Sequence, residues 1–179
     1  MNQIEELKNK IQKLVNQYNL GNYKLVIQEV NILLKKLPNN SFLLNLLGSC
    51  YQKLGDFDTA IKNFLQVLST EQKNLAAMNN LANAYKDILE FVKAENLYKE
   101  IIKINPSYIN AITNYANLKF QLDQYEDAIE LYNRALKIDN KIENIHYNMG
   151  LTYQSYGAFT EAEKHFKEML KINPTATIA

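Results

Sequence analysis

The chain has 179 residues, 20 Lys plus Arg against 19 Asp plus Glu, and a formal net charge of +1. That length suits one globular domain or a short repeat array, and the balanced charge argues against a nucleic-acid partner, whose footprint is a basic patch or a domain pI above about 9. A single cysteine, Cys50, excludes an intrachain disulfide framework and a cysteine zinc cluster, while 5 Gly and 3 Pro leave little turn material and point to an all-α chain.

Residues 1–20 form a charged amphipathic stretch without the apolar centre of a secretory signal. No apolar run approaches the roughly 18 residues of a membrane span, so no membrane contact is expected and the expected setting is cytoplasmic. The next signals are periodic. Pro38, Pro106 and Pro174 are spaced by 68, twice 34; Gly21 and Gly55 are 34 apart; Gly48 to Gly150 and Gly55 to Gly157 are both 102, three times 34. A fixed period of this size marks a repeat architecture. It divides the chain into frames 7–40, 41–74, 75–108, 109–142 and 143–176, with every Gly at frame position 8 or 15 and every Pro at position 32.

Each frame predicts two helices. Apolar residues at positions 4, 7, 8 and 11 form one helical stripe, and those at 17, 20, 24, 27 and 28 form a second. Position 17 is aromatic throughout (Tyr23, Phe57, Phe91, Tyr125, Phe159), and position 20 is Val26, Ala60, Ala94, Ala128 and Ala162. Position 24 is Val30, Phe64, Tyr98, Tyr132 and Phe166. Ser41 is expected to cap the first helix of frame two, and Asp56 and Thr160 to cap second helices. Gly at position 15 suits the left-handed turn that ends a first helix; Leu89 and Asp123 stand there in frames three and four, where a costlier or differently shaped turn is expected. Pro at position 32 marks the turn into the next frame.

These residues resemble the tetratricopeptide repeat, whose pattern is W-x-x-L-G-x-x-Y, then A-x-x-x-F, then P. Frame two reads Leu44, Leu47, Gly48, Tyr51, Ala60 and Phe64; frame three Met78, Leu81, Ala82, Tyr85, Ala94, Tyr98 and Pro106. Frame four has Tyr115, Ala116 and Lys119 with Ala128 and Tyr132, and frame five His146, Met149, Gly150, Tyr153, Ala162, Phe166 and Pro174. Frame one departs most, with Lys10, Lys13, Leu14 and Gln17, and is read as an N-terminal cap. The resemblance covers about 170 of 179 residues. It implies a right-handed α-solenoid of antiparallel helix pairs, residues 1–179 forming a single array, with first helices lining a concave groove.

In this family the groove-facing positions of a first helix are 2, 5 or 6, 9, and 12 or 13. The first helices of frames two to five carry nine asparagines: Asn45, Asn79, Asn80, Asn83, Asn110, Asn114, Asn117, Asn144 and Asn148, all at positions 2, 5, 6 or 9. The chain has 24 Asn in all, and a biased composition alone would scatter them over every exposed position. An amide offers donor and acceptor together and matches a peptide group whatever its side chains. Asn80, Asn114 and Asn148, all at position 6, resemble the asparagine row in the tetratricopeptide superhelix of O-GlcNAc transferases, which implies an extended peptide partner held by its backbone. Replacing the three by Ala is expected to leave stability unchanged or higher, because Asn is a poor helix former. The carboxylate clamp of chaperone-binding relatives needs basic residues where this chain has Asn79, Asn110, Asn114, Asn144 and Asn148. Phe42, Phe120 and Tyr147 lie near the row as candidate apolar pockets or inter-repeat packing.

Catalytic and metal readings find little support. His146 at position 4 is expected in the core and His165 in solvent; no H-x-x-x-H pair or phosphate loop is present. Cys50 at position 10 is expected to be a buried, inert thiol. No cofactor is implied. After Pro174 no closing helix is expected, and Phe166, Met169 and Leu170 are candidates for an apolar open end through which copies self-associate or a partner docks. The expected function is a non-catalytic protein-interaction module; the alternative is the recruiting arm of a larger transferase whose catalytic domain lies elsewhere.

Overall fold

A computed structural model describes residues 3–175. Among these, ten helices and no strands form: α1 (Gln3–Asn19), α2 (Tyr23–Leu34), α3 (Ser41–Lys53), α4 (Phe57–Thr70), α5 (Leu75–Asp87), α6 (Phe91–Ile104), α7 (Ile109–Gln121), α8 (Tyr125–Ile138), α9 (Glu143–Tyr156) and α10 (Phe159–Ile172). From α2 onward, every helix begins at frame position 1 or 17. Only α1 starts ahead of its frame. Contacts gather into two compact units, Met1–Ala94 and Glu95–Ala179. The expectation about the chain after Pro174 falls on 176–179, outside the described residues.

In the first unit α1 packs on α2, α2 on α3, α3 on α4 and α4 on α5; α3 also touches α5. In the second, α7 packs on α8, α8 on α9 and α9 on α10, and α7 touches α9. This is the α-solenoid pattern: α2, α4 and α8 each bridge two first helices, and within each unit neighbouring first helices touch, α3 with α5 and α7 with α9. A single hairpin cannot bury its apolar stripe, and stacking covers it. Leu14, Val26, Val30, Leu43, Leu47 and Cys50 close one such core, and Ile112, Ala116, Ala128, Tyr132, Ile145 and Met149 another. Burial pushes the Cys50 thiol up to about 12, which keeps it inert.

Capping follows sequence chemistry with two corrections. The side chains of Asn40, Asp56 and Asn74 accept hydrogen bonds from the amides of Leu43, Thr59 and Ala77 at 3.0, 3.1 and 2.9 Å. Asn40, not Ser41, therefore caps α3. Thr160 lies inside α10, whose cap position is Ala158 and makes no side-chain bond.

All five residues at position 15 adopt positive φ: Gly21 80°, Gly55 82°, Leu89 64°, Asp123 56° and Gly157 86°. The turn is thus the same in every frame, and Leu89 and Asp123 carry its steric cost. Asp123 is helped by a short polar side chain, which accepts the Tyr125 hydroxyl at 2.7 Å. Leu89 has no such compensation and is 66 % exposed. Leu89→Gly therefore stabilises the chain by about 1 kcal/mol, the steric relief outweighing the added freedom of the unfolded glycine. Thermal denaturation reads this as a rise of about 2–4 °C.

Candidate peptide-binding face

The nine asparagines lie on α3, α5, α7 and α9. In the first unit Asn45 on α3 and Asn80 and Asn83 on α5 are half-buried and Asn79 is buried. In the second unit Asn110 and Asn144 are exposed, and Asn114, Asn117 and Asn148 are half-buried. Side-by-side packing of α7 and α9 brings two of them together: Asn148 Nδ2 donates to Asn117 Oδ1 at 2.9 Å. The same oxygen accepts the Tyr132 hydroxyl at 2.5 Å, and Thr152 donates to the Asn148 backbone carbonyl at 2.7 Å. Burial raises the Tyr132 pKa and keeps the phenol a donor. Asn117 and Asn148 therefore tie repeat four to repeat five. The expectation that removing Asn148 leaves stability unchanged or higher does not survive this bond, whose loss outweighs the propensity gained by alanine.

Position 5 carries a second feature. Asn45 Oδ1 in the first unit and Thr113 Oγ1 in the second are buried without a hydrogen-bond partner. Such groups are uncommon in folded chains, and here they recur at one repeat position beside the amides. Of the neighbouring aromatics, Phe42 is exposed, Phe120 packs on the repeat-four core near Tyr125, and Tyr147 tilts against Phe166 at 6.2 Å.

Two polar clusters escape sequence reasoning. In the first, Glu95 on α6 accepts the Tyr115 hydroxyl at 2.7 Å and pairs with Lys99 at 2.8 Å and Lys119 at 3.2 Å. Lys119 also reaches Gln124 at 2.7 Å and Asp127 at 3.5 Å and lies over the Tyr115 ring at 5.4 Å. Burial alone would raise the Glu95 pKa; the bonds from Lys99, Tyr115 and Lys119 outweigh it and hold the carboxyl at about 2. Lys119 occupies position 11, where frames two, three and five have tyrosine, and that substitution is the one signal of the cluster. In the second, His146 Nδ1 lies 3.1 Å from His165 Nδ1, and His146 Nε2 lies 3.2 Å from the Asn140 carbonyl. The carbonyl only accepts, so the neutral His146 carries its proton on Nε2 and receives one from His165. His165 is thus not a solvated side chain: its ring stacks on His146 and Tyr153 at 5.4 and 5.5 Å, and burial, then His146 and Lys164, lower its pKa. Both clusters join neighbouring helices. Among the described residues no group of three His, Cys, Asp or Glu side chains is placed to hold a metal, and no helix is long and apolar enough to cross a membrane.

Family models match three stretches: a TPR repeat over residues 116–157 and tetratricopeptide repeats over 144–176 and 33–62. A comparison with curated proteins finds no match. Among solved structures, the thermophilic TPR protein TTC0263 of Thermus thermophilus superposes with a TM-score of 0.86 at 21% identity, over 94% of this chain and 92% of that one. A crystal structure of MamA gives 0.70 at 24% identity over 89% and 93%. The 41-to-end segment of MamA from Desulfovibrio magneticus RS-1 gives 0.73 at 16% over 99% of both. At these identities the likeness is one of fold.

Proposed function

We propose, from the premise that this chain is a tetratricopeptide-repeat protein and so a scaffold for protein–protein contact, that the first-helix face of each unit holds an extended peptide by its backbone. The role is binding without chemistry. The observation that carries the reading is the amide pair across α7 and α9. The Asn117–Asn148 bond uses the oxygen of one amide and one N–H of the other. What it leaves, an amino group on Asn117 and a carbonyl on Asn148, is a donor–acceptor couple of the kind a peptide group matches. Exposed Asn110 and Asn144, at position 2 of the same two helices, extend the amide face toward their N-termini.

Selection of a random peptide library on the immobilised chain, run in parallel on Asn110→Ala/Asn144→Ala, tests the proposal. Both side chains are exposed, so the variant keeps the fold, which circular dichroism checks. Loss of two hydrogen bonds weakens the peptides recovered by the wild type about tenfold. Equal retention by the two proteins, or no peptide recovered by either, refutes the backbone-binding face.

A further inference from the structure

The open side of α10 carries, at the same repeat positions, side chains like those that dock first helices inside the second unit. Positions 20, 24 and 28 of α8 are Ala128, Tyr132 and Leu136, which form one core with Ile145 and Met149 of α9. The same positions of α10 are Ala162, Phe166 and Leu170. Together with Phe159, 69 % exposed, they line an open pocket of about 320 Å3. Met169, expected on this face, points inward instead and is buried.

In three second helices position 21 meets the next first helix. Ile27 shares a core with Leu47 and Tyr51, and Ile129 one with Met149 and Tyr153; in both cases the partners stand at positions 7 and 11 of the next first helix. Where position 21 is Glu95, those two partners are Tyr115 and Lys119, which supply a hydroxyl and an ammonium, and the Tyr115 ring stacks on Tyr98 at 6.0 Å. Glu95 is braced by Lys99, four residues on, at 2.8 Å. In α10 the equivalent residues are Glu163 and Lys167, paired at 2.6 Å, with Phe166 in the place of Tyr98. Glu163 is 66 % exposed, against 23 % for the covered Glu95.

We propose that this face is a second binding surface, independent of the amide face, and that its occupant is an amphipathic α-helix of a partner protein with a tyrosine followed four residues later by a lysine. The tyrosine stacks on Phe166, its hydroxyl and the lysine engage Glu163, and the apolar stripe covers Ala162 and Leu170. A second copy of this chain fits less well. Its α1 brings Lys13 and Gln17 at positions 7 and 11, a cation without the ring.

The chain supplies its own probe: a synthetic helix of residues 107–124, made rigid by a hydrocarbon staple replacing Asn110 and Asn114, both off the docking side. Fluorescence anisotropy against the full chain reads binding. Glu163→Lys weakens the probe about tenfold, and a probe carrying Lys119→Glu recovers that loss on the Glu163→Lys chain while binding the wild type more weakly. An unchanged thermal midpoint shows that the exposed substitution leaves the fold intact. The proposal is overturned if the probe does not bind at about 1 mM, or if it binds both chains equally. It is also overturned if sedimentation shows a dimer that Glu163→Lys dissolves while the probe binds neither chain, which assigns the face to a second copy.

Discussion

Glu95→Ala lowers the unfolding free energy by about 3 kcal/mol, whereas Glu95→Ile combined with Lys119→Tyr leaves it unchanged or higher. The single change strands Lys119, whose side chain is only 10 % exposed and keeps Asp127 at 3.5 Å as its remaining carboxylate. Lys119, left with Asp127 and the Gln124 side-chain carbonyl, and the Tyr115 hydroxyl both lose their Glu95 partner after desolvation has already been incurred, which is more damaging than the intact cluster is stabilising. The double change installs the solution this chain uses elsewhere, Ile at position 21 and Tyr at position 11, as with Ile129 and Tyr153. The two arrangements also differ in acid. The folded Glu95 carboxyl sits at about 2, below its ordinary value of 4.5. Its contribution is therefore fully present above the unfolded value and is lost as pH falls from there toward 2. Urea midpoints at neutral pH and near the folded value check both points. The double variant loses less stability between them than the wild type, and a double variant as unstable as Glu95→Ala contradicts the account.

Gly48→Ala destabilises by about 1–3 kcal/mol, even though alanine is the better helix former by about 1 kcal/mol. A Cβ on Gly48 would lie 2.5 Å from Phe64 Cε1 and 2.9 Å from Cδ1 and Cζ, and that ring is fully buried and cannot swing aside. Position 8 and position 24 compensate one another along the chain: Gly48 with Phe64, Gly150 with Phe166, Ala116 with Tyr132, Leu14 with Val30. The overlap at Gly48 thus reports how closely α3 and α4 approach, since repeat four accommodates an alanine beside a tyrosine. A thermal midpoint lowered by about 2–4 °C per kcal/mol is the expected reading. Adding Phe64→Leu to Gly48→Ala recovers part of the loss, a coupling that neighbours sharing one space show.

Much of this architecture is legible in the residues because it rests on local chemistry repeated in phase. The period of 34 places the helix starts at positions 1 and 17, and the positive φ at position 15 follows from three glycines even where Leu89 and Asp123 replace them. What was not legible depends on neighbours distant in the chain. His165 looks like a solvated side chain until α9 brings His146 against it. Lys119 reads as a blemish in the repeat until Glu95, from the preceding second helix, turns it into one half of an ion pair. The asparagines were legible as a pattern, but not the bond by which Asn148 and Asn117 hold each other, which makes part of the candidate site structural as well. Composition marks which residue types line a face; only packing decides which of their hydrogen-bonding groups are already engaged.

The central claim is that the amide-bearing first helices read a peptide by its backbone. Its most direct test is isothermal titration of the wild-type chain with one library-selected peptide and with copies of it N-methylated at single backbone positions. Removing a backbone donor weakens binding by about tenfold at the contacted positions, while alanine at the same side chains changes it little. N-methylated copies that bind as tightly as the parent, with affinity lost only on side-chain replacement, would contradict it.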